Sequence, residues 1–165
     1  MTRFVMTVQE SVRLVIDSAK QARGGEVFIT KMPVLNILDM AKVMIELLAK
    51  QYGHQPENIQ IDIIGSKPGE KLYEELMSDE ETRRAIELEQ YFSVLPAFRG
   101  FHKNIEYKYD NIVNKIVDDP YVSSEAKMMT HREIKEFLLV NNLLGIQEDQ
   151  FGERYWPGDK EEKQP

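Results

Sequence analysis

The chain has no cysteine among its 165 residues. Disulfides, thiol nucleophiles and cysteine-ligated zinc are therefore excluded. Long apolar runs are lacking too: no window approaches the roughly eighteen residues of a membrane span. No basic segment followed by an apolar one opens the chain, so no secretory signal is expected. Together these features suit a cytoplasmic protein with no membrane span. The nine glycines never fall in the close spacing of a dinucleotide-binding βα turn. None of the seven tyrosines has a lysine four residues on, so the Tyr-x-x-x-Lys pair that could lower a tyrosine pKa does not occur. His54, His102 and His131 stand far apart, with no metal-ligand spacing, and read as surface or cap-adjacent residues. The chain shows no catalytic centre of its own, and no metal is expected.

Positive charge is in deficit. Twenty-one Lys and Arg face 28 Asp and Glu, a net charge of -7. Such a chain repels phosphate backbones in general, so nucleic acid is not an expected partner. Part of the acidity is clustered, at Glu74-Glu75, Asp79-Glu80-Glu81 and Glu161-Glu162. These read as solvated faces and a tail. A small anion remains compatible with the sequence, because local cations decide that and net charge does not.

What is present is globular: 42% hydrophobic and 30% charged residues, enough for one domain with a real core. Thr7-Val8-Gln9-Glu10 reads as a capping box. It predicts a helix to about Ala22 with Val8, Val12, Val15, Ile16 and Ala19 on one face, stopped by Gly24-Gly25. Residues 26–30 read as a strand. Asn36 reads as the cap of a second helix, where Ile37, Met40, Ala41, Met44, Ile45 and Leu48 repeat every three or four residues. Ser78 to Glu81 and Thr130 to Glu133 form two more capping boxes. The first predicts a helix through Ala85 and Leu88, the second a helix with Ile134, Phe137 and Leu138 inward. Residues 91–95 read as a strand, and residues 97–119 as a long irregular segment. The domain is expected over residues 1–146, with residues 147–165 a poorly ordered tail.

The stretch from Ile61 to Ser78 organises this reading. Ile61-Asp62-Ile63-Ile64 is a short apolar run with β-branched residues and reads as a buried strand. Gly65-Ser66-Lys67-Pro68-Gly69-Glu70-Lys71 is a tight turn, and Leu72, Leu76 and Met77 follow at helical spacing. A strand end that feeds a helix start offers free N–H groups and a favourable dipole to anions. Lys67 and Lys71 add positive charge there. The plainer reading is an ordinary βα turn with solvated lysines.

Four segments together carry a resemblance: residues 1–10, residues 25–29 (Gly-Glu-Val-Phe-Ile), residues 63–75, and Ser123-Ser124-Glu125-Ala126-Lys127 with the helix that holds Glu133 and Leu138-Leu139. In this order they resemble the C-terminal part of extended short-chain dehydrogenase/reductase enzymes that act on nucleotide sugars in polysaccharide biosynthesis. The match is closest to the UDP-N-acetylglucosamine 4-epimerase and 4,6-dehydratase group and covers about residues 1–145. It implies an α/β (mixed) fold, the small substrate-binding subdomain of a Rossmann-type enzyme without its Rossmann half. It also implies a UDP-sugar as partner, with NAD(P) and the catalytic tyrosine in the half that is missing. Residue by residue, it implies that Arg3 contacts the diphosphate, that Lys67 stands where a second arginine is usual, and that Glu70 lies near the ribose or sugar. Arg99 falls where relatives place basic residues. Lysine in place of arginine gives a point charge and loses the bidentate fork. The alternative is a catalytically inactive interaction or self-association module, a homo-oligomer among its forms, derived from the same fold.

Overall fold

The computed structural model describes residues 1–98, 100 and 104–145. Arg99 and the tail from 147 therefore lie outside the described residues. The fold is mixed α and β, built from short strands. β1 (Thr2–Phe4) pairs antiparallel with β3 (Val34–Asn36), Arg3 opposite Leu35. A four-stranded sheet runs in the order β2 (Val27–Thr30), β6 (Tyr91–Val94), β5 (Ala85–Leu88), β7 (Ile112–Asn114), antiparallel throughout. β4 (Glu75–Met77) pairs with β8 (Tyr121–Val122) across a register shift. The helices are α1 (Val8–Gln21), α2 (Ile37–Leu48), the single turn α3 (Asp79–Thr82) and α4 (His131–Val140).

Three apolar cores hold these pieces together. Leu35, Val43, Ile134 and Leu138 join β3, α2 and α4. Strand β6 is buried on both faces. Phe92 and Val94 meet Met77 and Ala85 on one side. On the other, Tyr91 meets Leu88 and Tyr109, with Leu14 and Phe28 against them. The Ser93 hydroxyl, fully enclosed, lies 2.9 Å from the Tyr109 hydroxyl, which satisfies both. Burial pushes the Tyr109 hydroxyl above its ordinary pKa.

All three capping boxes form as expected. In α1, Thr7 N donates to Glu10 Oε2 at 2.6 Å and Glu10 N donates back to Thr7 Oγ1 at 3.1 Å. In α4 the Thr130 and Glu133 pair does the same. What α4 covers agrees with expectation, Ile134 and Leu138 being buried with Phe137 against them, but α1 differs. The Val8, Val12, Val15 and Ile16 face of α1 points to solvent, and the helix buries no residue fully; Leu14, on the opposite side, makes its core contact.

Three further expectations are corrected. Residues 61–64 form no strand and pair with nothing among the described residues; all of 61–70 is exposed, Ile63 and Ile64 at 82% each. An apolar β-branched run needs a ladder partner to become a strand, and these residues have none. The turn leads into strand β4, so no helix N-terminus stands behind it. Finally, the Ser78 box opens only one helical turn, because the next residues, Ala85 and Leu88, are buried as part of β5. A spacing of three fitted both readings.

Candidate functional site

The turn is built from Lys67-Pro68-Gly69-Glu70. Proline stands at the second position and Gly69, at φ 85°, at the third, the requirement of a type II turn. Glu70 N donates to the Lys67 carbonyl at 3.0 Å, closing the turn. The Glu70 carboxylate accepts from Lys67 N at 3.0 Å and closes it a second time. Glu70 therefore has a local structural partner although it is exposed. The Lys67 amine makes no ion pair among the described residues.

Arg3 reaches the far end of this turn from β1. Its Nη2 donates to the Lys71 carbonyl at 2.8 Å and its Nη1 to the Thr2 carbonyl at 2.7 Å. Glu74 Oε1 stands 3.6 Å from Arg3 Nε. The other carboxylate oxygen, Oε2, accepts from Phe4 N at 3.2 Å. Thr2 N donates to the Leu72 carbonyl at 2.9 Å, so β1 runs beside the chain that leaves the turn. A guanidinium has five N–H donors, and this arrangement leaves some of them for a ligand.

Behind Arg3 lies a serine that the sequence reading did not single out. Ser123 is fully buried. Its Oγ sits 2.9 Å from Thr2 Oγ1 and accepts from Glu74 N at 2.8 Å, while Ser123 N donates to the Glu74 carbonyl at 2.8 Å. One residue after β8 thus pins both β1 and the segment that follows the turn. Its position in the Ser123-Ser124-Glu125 segment was its only signal in the sequence. Glu74, which partners Arg3, was read there as part of an acidic cluster and of the 63–75 segment, with no role of its own.

The structure therefore brings together Arg3 and the turn that carries Lys67 and Glu70. Arg99 lies outside the described residues. Chemically, the arrangement is one arginine with partly engaged donors beside a hydrogen-bonded turn whose lysines make no ion pair among the described residues. Among the described residues no group of three acids or histidines stands close enough to hold a metal.

A separate hollow of about 400 Å³ lies between α1 and the β2–β6 edge, with Arg13, Asp17, Lys31 and Glu89 on its wall. At its edge, Lys31 Nζ contacts Glu87 Oε1 at 2.7 Å. The lysine, together with Asn114, holds the Glu87 carboxyl below its ordinary pKa. No helix among the described residues is long and apolar enough to cross a membrane.

Comparison with known proteins adds the following. A family model described as polysaccharide biosynthesis protein matches residues 1–96. The chain is 46% identical over 138 residues to an uncharacterised membrane protein of Methanocaldococcus jannaschii, covering 84% of this chain and 38% of that protein. It is 30% identical over 149 residues to the UDP-N-acetylglucosamine 4,6-dehydratase (inverting) of Campylobacter jejuni, covering 88% and 41%. The X-ray structure of Pen from Bacillus thuringiensis superposes with a TM-score of 0.72 at 37% identity, covering 87% of this chain and 39% of that one. The chain thus spans about two-fifths of the length of these proteins.

Proposed function

Because the chain belongs to the polysaccharide biosynthesis protein family, as a C-terminal part of an extended short-chain dehydrogenase/reductase, we propose that it grips the diphosphate of a UDP-sugar. The observation that carries this reading is the 2.8 Å bond from Arg3 Nη2 to the Lys71 carbonyl, which holds a guanidinium against the turn bearing Lys67. A diphosphate carries about two negative charges. Charge-assisted hydrogen bonds from such cations contribute roughly 1.5–3 kcal/mol each. Lys67 supplies a point charge without a fork, so Arg3 is the directional partner. Glu70 shapes the turn and stands toward the ribose or sugar. In this reading the chain is the substrate-holding part of a nucleotide-sugar epimerase or dehydratase, working in the cytoplasm.

The described residues do not fit a dinucleotide. Every pairing between the named strands is antiparallel, and the glycine turn at 65–69 leads into β4 and not into a helix N-terminus. We assign NAD(P) to the three-fifths of the relatives' length that this chain does not span.

Titration of UDP into the full chain, followed by calorimetry and by amide resonances, tests the reading. Saturable binding, with shifts at residues 66–71 and at least tenfold loss in Arg3→Gln, is the expected result. A folded chain that shows neither heat nor shifts at millimolar UDP overturns the proposal of a grip made by this chain. A second reading, self-association or docking to a partner, is favoured by a different observation: the solvent-facing Val8, Val12, Val15 and Ile16 together with Ile61, Ile63 and Ile64. Sedimentation velocity tests its self-association form, which a strict monomer at high concentration sinks.

A further inference from the structure

A third concave surface, of about 540 Å³, lies along β5 and shares no residue with the Arg3 turn. Ile86, Ile112 and the Tyr107 ring line it, and Arg83, Arg84, Lys108 and Lys115 all reach it. Asp110 is the one carboxylate among its described lining residues. A hollow of about 270 Å³ adjoins it and shares Arg83, Ala85 and Lys115.

The four cations are not equivalent. Arg84 already holds Glu80 at 3.4 Å and Glu81 at 3.5 Å, and donates to the Leu95 carbonyl at 2.6 Å. Lys108 has Glu106 at 2.7 Å. Arg83 and Lys115 have no ion pair among the described residues, and they are the two that line both hollows. The acids nearest in sequence to Arg83, Glu80 and Glu81, are turned to Arg84. In a chain of net charge -7, four cations stand here against Asp110 and, in the adjoining hollow, Asp118, and neither acid is ion-paired to Arg83 or Lys115 among the described residues. Its volume falls within the range of small-molecule pockets, and its wall combines aliphatic and aromatic surface with a few charged groups.

We infer that this surface binds a small phosphorylated molecule, with the phosphate between Arg83 and Lys115 and an apolar or planar body against Ile86, Ile112 and Tyr107. Two cations that flank one hollow match a doubly charged phosphate better than a single carboxylate. The apolar wall gives affinity to what the phosphate carries.

The test titrates the full chain, in separate arms, with inorganic phosphate and with phenyl phosphate, followed by amide resonances. Saturable shifts at residues 83–86 and 107–115 are expected, tighter for phenyl phosphate, and weakening as salt is raised. Arg83→Gln and Lys115→Gln each lower the affinity about tenfold; both side chains are exposed, so both variants fold. Arg3→Gln leaves these shifts unchanged, which keeps the result independent of the diphosphate grip. No saturable shift, equal affinity for the two probes, or binding that survives the double substitution R83Q/K115Q overturns the inference.

Discussion

Helices α1 and α4 begin alike and end in different circumstances. Each opens with a Thr-x-x-Glu capping box, formed on both sides, and each carries an apolar stripe at helical spacing. In α4 the stripe is covered: Ile134 and Leu138 enter the core with Val43 of α2 and Leu35 of β3. In α1 the stripe is bare, with Val8 75% and Ile16 50% exposed. A helix's amphipathic pattern records that a face is meant to be covered and not which chain covers it. The difference shows that burial here follows the neighbours a face finds, since the two sequences are patterned equally well. The 61–64 run has the same character, as an apolar segment without a partner.

The contrast can be broken or sharpened by experiment. Ile134→Ala should have the largest effect, about 2–5 kcal/mol of lost stability from the cavity and the lost burial, read as the shift of the urea midpoint. Thr130→Ala removes the α4 cap and should cost about 1 kcal/mol, and Thr7→Ala about the same on α1, which would show that the starts are equal where the faces are not.

Acid sharpens the same point. The Thr130 amide, followed by its hydroxyl, holds the Glu133 carboxyl below its ordinary value of 4.5. The unfolded chain then takes up the proton more readily than the folded one. The stabilisation is present above pH 4.5 and is lost as pH falls toward the folded value. The urea midpoint should drop over that interval, and by less in Glu133→Gln. The smallest effect is expected from Val12→Gln with Ile16→Gln, within about 0.5 kcal/mol of the parent. If that pair costs as much as Ile134→Ala, the stripe of α1 is covered after all and the comparison fails.

The helix starts were legible because a capping box is local: four residues contain both halves of the hydrogen-bond exchange. The strand at 26–30, the α2 repeat capped by Asn36 and the strand at 91–95 were legible for related reasons of period and cap. Strands β1, β3, β4, β5 and β7 were not read as such. Three or four residues are too few for a period to show, and what makes them strands is a partner far along the chain. For Ala85 and Leu88 the helical spacing was real, but burial within the four-stranded sheet decided the outcome. At the site, Arg3 and the turn were both named from sequence. Their contact through the Lys71 carbonyl was not, because 68 positions separate the two residues. Ser123 stayed hidden for the same reason, a buried hydroxyl whose partners lie 49 and 121 positions away.

That last separation sets a clock. Thr2 is made first and its hydroxyl partner on Ser123 comes 121 residues later. At ribosomal speeds of about 5–20 residues per second, that interval is roughly 6–24 s. During it, strand β1 can pair with β3 and Arg3 can reach the Lys71 carbonyl, but the Ser123 hydroxyl behind them is missing. A nascent chain stalled before position 123 therefore carries Arg3 and the turn without the buried hydroxyl that ties β1 to the segment after the turn.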